Sequence, residues 1–207
     1  MLVALALLGG CASVPEARFD PLTRSGAFET RAYHPRILAQ TVVEAGYQDA
    51  PNIGFRRLAD YIFGKNATAA SIEMTAPVDT TVQPAATAAS STIEMTAPVE
   101  IATAESARES YVITFTMPEQ YTLATLPKPL DPQIRIVEVP AKTYAVVRFS
   151  GLTDAATVKA QTSALRDFIE KSHLSPATTA PILARYDPPW VLPWFRRNEI
   201  LIEIKRP

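Results

Sequence analysis

Two stretches decide the fold: DAPNIGFRRLADYIFG at 49–64 and TDAATVKAQTSALRDFIEKSH at 153–173. In the first, Asp49 stands before an early proline, Pro51, as a helix start commonly does. Phe55, Leu58, Ala59 and Ile62 then recur at i, i+3, i+4 and i+7, giving one apolar stripe on a helix that Gly64 can cap. In the second, Thr153-Asp154 supplies the start, and Val158, Leu165, Phe168 and Ile169 supply the stripe. That helix ends near His173, where a cationic side chain suits the helix dipole.

Strand-like segments flank each helix in the same order. Arg31, Tyr33 and then Ile37 to Val43 precede the first helix, and a strand around Ile72 to Val78 follows it. Ile134 to Val139 and Tyr144 to Phe149 precede the second, with Ile182 to Tyr186 and Ile200 to Ile204 after it. Tyr111 to Met117 bridges the halves. A strand, helix, strand, strand unit used twice predicts an α+β domain, two helices on a strongly twisted or barrel-like antiparallel sheet.

Composition narrows the function classes. The chain has 207 residues with 47% hydrophobic and 20% charged, an ordinary globular balance. Twenty basic against 21 acidic residues leave a net charge of -1, without the basic excess of a nucleic-acid binder. One Cys and two His exclude an internal disulfide and a multi-cysteine or His-rich metal site. No phosphate loop, nucleophile elbow or other catalytic constellation is visible, so an enzyme is not expected.

Residues 1–10, MLVALALLGG, form an apolar run too short to span a bilayer, closed by small residues before Cys11. Leu8-Gly9-Gly10-Cys11 resembles a bacterial lipobox, whose Cys takes the diacylglyceryl group, although no Lys or Arg precedes the run. The expected organisation is a signal peptide at 1–10, a lipidated tether at 11–27 and one domain at 28–207, held at the cell envelope by a lipid anchor. The other reading of this segment is a buried element with a free core Cys. Ile72-Glu73-Met74-Thr75-Ala76-Pro77-Val78 recurs word for word as Ile93 to Val99, around a small, polar stretch expected to be a flexible insertion at about 79–92. Sequence alone does not say which copy occupies the structural slot.

Several short motifs, in order, resemble the SOUL haem-binding family from about Phe28 to Ile204. They are Arg31-x-Tyr33-x-Pro35, Gly54-Phe55-x-x-Leu58-x-x-Tyr61-Ile62-x-Gly64-x-Asn66, the doubled Met-Thr-Ala-Pro-Val, and Tyr121-Thr-Leu through Pro127-x-Pro129. Phe149-Ser150-Gly151, Tyr186-Asp187-Pro188-Pro189-Trp190 and Arg196-Arg197-Asn198-Glu199-Ile200 complete the set. The resemblance implies a distorted β-barrel with two helices, built as a pseudo-duplicate. It also implies haem or another tetrapyrrole as a non-covalent, exchangeable ligand, carried or buffered without catalysis.

Haem needs an apolar slot, cations for its propionates and, optionally, an axial donor. The expected slot runs along the first helix and the loop bearing Trp190 and Trp194, with Ile53 and Tyr61 in its wall. Arg56, Arg57, Lys65, Arg196 and Arg197 are candidates for the propionates, because guanidinium pairs well with carboxylate. Each of these arginines equally suits a solvated helix face or a turn. His34 is the candidate axial ligand; His173, Met74, Met95 and Met117 are weaker ones. A module for some other apolar ligand or a protein partner would use the same groove, and a tetrapyrrole-processing enzyme is a more distant alternative.

Overall fold

The computed structural model describes residues 14–83 and 109–205. Nine strands and two helices follow one another as β1 (Phe19–Ser25), β2 (Phe28–Tyr33), β3 (Arg36–Ala45), α1 (Ala50–Ile62), β4 (Val78–Gln83) and β5 (Glu109–Thr116). The second half comprises β6 (Ile134–Val139), β7 (Lys142–Phe149), α2 (Ala155–Lys171), β8 (Ile182–Arg185) and β9 (Asn198–Ile204). Among the described residues the named strands all pair antiparallel, in the order β1-β2-β7-β9-β8-β4-β5-β3-β6.

That order makes the duplication visible. The unit β2-β3-α1-β4-β5 matches β6-β7-α2-β8-β9, and the two meet where β4 pairs with β8. Each unit lends its first strand to the other: β2 pairs with β7, and β6 pairs with β3. His34-Pro35 alone connects β2 to β3, although these strands are second and eighth in the order. Two linking residues span at most about 11 Å, so the sheet must curl until its two ends approach. Arg36 of β3 accordingly lies over the ring of Tyr33 at 4.7 Å and that of Tyr144 at 5.7 Å. β1 and β6 do not pair, however, so the curled sheet stays open rather than closing into a barrel.

Both helices cover the same, outer face. Ile113, Thr80, Leu183, Ile200 and Val147 stand opposite one another across β5, β4, β8, β9 and β7. Ile113 packs in the core with Leu58, Tyr61 and Ile62 of α1, and Leu183, Ile200 and Val147 with Leu165 and Ile169 of α2. The buried face of α1 is Ala50, Gly54, Leu58, Tyr61 and Ile62, with Ala59 at its margin. Phe55 is displaced from it and meets Phe115 edge-on at 5.4 Å. Gly54 is required by close approach, because a Cβ there would lie 2.3 Å from Cγ1 of Ile113. Asp49 precedes α1 but makes no side-chain cap, whereas Asp154 accepts from the Thr157 amide at 2.9 Å.

Three sequence expectations change. Ile72 to Pro77 joins no strand ladder: Pro77 has no N–H to give, and Ala76 makes only an isolated bridge to Glu16, its amide donating to Pro15. The strand begins at Val78 and runs to Gln83, into the stretch expected as an insertion. The first Met-Thr-Ala-Pro-Val therefore leads into the sheet, and the second lies outside the described residues. Part of the expected tether is β1, which pairs with β2 and packs Phe19 on Tyr33 at 5.2 Å. Cys11 and residues 1–10 also lie outside the described residues.

Candidate functional site

Inside the curl, on the face away from the helices, the strands carry charge as well as apolar side chains. Tyr33, Tyr144, Val146, Ala184 and Leu201 form the apolar part. Among them Glu199 is fully buried, and Arg31 reaches its two carboxylate oxygens at 2.7 and 3.0 Å. Arg197 and the Tyr186 hydroxyl donate to the same carboxylate at 3.0 and 2.8 Å. Burial pushes the Glu199 pKa upward, but the hydrogen bond from Arg31 and the neighbouring guanidinium charges win, and it sits below its ordinary value. Burial likewise pulls the Arg31 pKa down, and Glu199 more than restores it.

One row of this face runs Thr114, Asp79, Ala184, Glu199. Asp79 Oδ1 is buried without a hydrogen-bond partner among the described residues. Burial raises the Asp79 pKa to about 7, with the Arg36 charge opposing and the Glu199 charge reinforcing the rise. Arg36 Nη1 is similarly buried and unpartnered. An orphaned guanidinium N–H carries a desolvation cost that an anionic or carbonyl acceptor would remove.

Arg36 also lines a cavity of about 870 Å3 at one end of the curl. Its walls come from 15–18, the β2–β3 link with Arg36 and Ile37, Glu73 and Thr75, 116–124, and Glu138. Ile37, Met117, Tyr121 and Leu123 supply apolar surface, while His34, Arg18 and Arg36 supply donors. The Thr75 hydroxyl donates to the Thr116 carbonyl, tying the segment before β4 to the end of β5. His34 Nε2 lies 3.0 Å from Asp20 Oδ2, which leaves Nδ1 unengaged and orients the ring. Of the carboxylates in the wall, Glu16 pairs with Arg197 at 2.8 Å and Glu119 with Arg18 at 3.5 Å.

The other expected site residues are dispersed. Ile53 and Arg56 line a shallower depression of about 460 Å3 beside Glu44, Asp49 and Asn52, a largely polar setting. Arg57 is engaged by the Thr41 hydroxyl at 2.6 Å, the Val42 carbonyl and Asp131. Tyr61 is a core residue whose hydroxyl donates to the Pro127 carbonyl at 2.7 Å, and burial raises its pKa to about 12. Lys65 pairs with Asp60, and Arg196 holds its own loop through the Val191 and Pro189 carbonyls. Trp190 and Trp194 are exposed and line neither cavity. His173 lies two residues beyond α2 with a positive φ of 53°, and Met74 packs against the α1 core.

Sequence reasoning had no place for Glu199, Asp79 and Arg36. The alternation Glu199, Leu201, Glu203 against Ile200, Ile202, Ile204 looks like a solvent face opposite a core face. Arg36 follows Pro35, and only the short link between distant strands makes it an inward-facing residue.

Comparisons with known proteins fit this architecture. A family described as "SOUL heme-binding protein" matches residues 14–203. "Heme-binding protein 1" of Xenopus tropicalis is 27% identical over 175 residues, covering 84% of this chain and 82% of that protein. "Heme-binding protein 2" of Homo sapiens is 27% identical over 191 residues, covering 87% and 83%. Among solved structures, the C-terminal domain of EcmrR superposes with a TM-score of 0.61 at 11% identity, covering 87% of this chain and 98% of that one. A hydrolase encoded by lin2189 from Listeria innocua gives 0.55 at 10%, covering 86% and 91%. At such identity these two structures speak for the fold alone.

Proposed function

Because the chain belongs to the SOUL haem-binding family, we propose that it binds haem or a related tetrapyrrole reversibly in the cavity at the end of its curled sheet. The single observation that carries the site is Arg36. It lines a cavity of about 870 Å3, within the range of small-molecule sites, beside His34 and Arg18. Arg36 and Arg18 stand in the same wall as the cations that two propionates need. Ile37, Met117 and Leu123 give the apolar contact a macrocycle needs. His34, with its ring held by Asp20, offers Nδ1 as an axial donor. Bound haem would supply an iron centre; the residues around it bind and orient. In this reading the protein carries or buffers the tetrapyrrole without catalysis. With the lipobox-like Cys11, this carrier would sit at the cell envelope.

Titration of the purified protein with haemin tests the reading. A Soret shift is expected, weakened about tenfold or more by His34→Ala and by Arg36→Ala, and little changed by the Arg56→Ala, Arg57→Ala pair. An unshifted spectrum at tens of micromolar haemin removes the function. Loss of binding in the Arg56, Arg57 pair with full binding in His34→Ala moves the site to the depression beside α1.

A further inference from the structure

The loop between β8 and β9 exposes four large apolar side chains within six residues: Trp190 at 81%, Leu192 at 51%, Trp194 at 63% and Phe195 at 71%. Leaving four such groups in water is costly, so a loop of this kind is built to meet something. It is also held in shape. Pro188, Pro189 and Pro193 restrict it, and the Val191, Phe195 and Arg196 amides close turns onto Pro188, Leu192 and Pro193. Arg196 ties back to the Val191 and Pro189 carbonyls, and the Gly151 amide donates to Pro193 at 3.0 Å.

The position of Glu16 bears on what the loop meets. Arg197, two residues after Phe195, pairs with Glu16 at 2.8 Å. The described chain begins at Val14, two residues before Glu16, with thirteen residues ahead of it. Cys11 stands five residues before Glu16, and five residues span about 17 Å at full extension. A lipid on Cys11 would therefore hold the Glu16 backbone within about 17 Å of the bilayer surface, with Arg197 at the end of the loop paired to the Glu16 side chain. Trp and Phe are the side chains suited to that depth, because they present a large apolar body to the headgroup boundary.

We propose that the Trp190–Phe195 loop is a bilayer-docking surface, which inserts its aromatic side chains at the membrane interface and fixes the orientation of the anchored domain. Docking through the short Cys11-to-Glu16 link rests on the lipid-anchor reading. The exposed loop is independent of it.

Trp190 and Trp194 are the chain's two tryptophans, so tryptophan emission reports on this loop alone. The full-length lipidated protein is reconstituted into phosphatidylethanolamine–phosphatidylglycerol vesicles with brominated acyl chains, and flotation and emission are read together. Flotation with a blue shift and about twofold quenching is the expected result. The Leu192→Asp, Phe195→Asp double variant should still float through its lipid, lose the quenching and keep its Soret shift with haemin. Wild-type protein that floats without quenching overturns the loop proposal and leaves the anchor standing. Protein that neither floats nor quenches overturns both. If bilayers do not quench the wild type and the double variant loses its Soret shift, the loop is a ligand wall and the proposal fails. The haemin titration of the preceding section fails or succeeds independently of the vesicle readout.

Discussion

Replacing Asp79 by Asn should make the protein more stable at pH 8 and leave it nearly unchanged at pH 4. Asp79 occupies the inner row between Thr114 and Ala184, with Oδ1 buried and unpartnered. Its carboxyl rises from an ordinary 3.8 to about 7, because burial and Glu199 outweigh the help of Arg36. Between those two values the folded chain keeps a proton that the unfolded chain has released, so the wild type loses stability as pH climbs through the window. A rise of this size corresponds to about 4 kcal/mol once pH exceeds 7. Water reaching the half-buried side chain would reduce it, so about 2–4 kcal/mol is the expected gain for Asp79→Asn at pH 8. Urea unfolding of both proteins at half-unit steps from pH 4 to 8 reads the gap directly. It should open above pH 4 and level off beyond 7. A gap that is flat with pH, or a variant less stable than wild type at pH 8, would show that Asp79 is not held neutral by burial.

The same inner face gives an opposite pH signature at Glu199. Its pKa is depressed, so its stabilisation is present above the unfolded carboxylate value and disappears as acid titrates the folded group. Glu199→Gln strands the buried Arg31 guanidinium, and denaturant unfolding at pH 7 should show a loss of about 3–5 kcal/mol that narrows in acid. Gly54→Ala drives a methyl to 2.3 Å from Ile113, and the overpacking should cost about 1–3 kcal/mol despite the better helix propensity of alanine. The Ile113→Ala partner variant relieves that clash, so a double-mutant cycle should give a coupling of opposite sign to the single losses.

Helix positions were legible because their information is local. The Asp154 cap and the Val158, Leu165, Phe168, Ile169 spacing place α2, and Pro51 and Leu58 place α1, without help from the rest of the chain. The twice-used unit was legible for the same reason. The exchange of β2 and β6 between the units was not, since nothing local in Tyr33-His34-Pro35-Arg36 says that the next strand lies at the far side of the sheet. That exchange is what makes the second sheet face an interior, and so turns Glu199, Arg31 and Asp79 from apparent surface charges into buried ones. β1 was missed because Asp20-Pro21 and Arg24-Ser25 carry little strand signal; pairing with β2 supplies what propensity lacks. The sequence places Trp190 and Trp194 on a loop expected to border the haem slot. Their exposure is a tertiary property of a proline-stiffened loop.

Amide hydrogen exchange with and without haemin addresses the binding site most directly. Added haemin should slow exchange in 34–37 and 116–124, the segments that surround Arg36, and leave 50–58 and 190–196 unaltered. Protection confined to α1 and the aromatic loop, with the 34–37 link unaffected, would contradict the placement of the tetrapyrrole inside the curl.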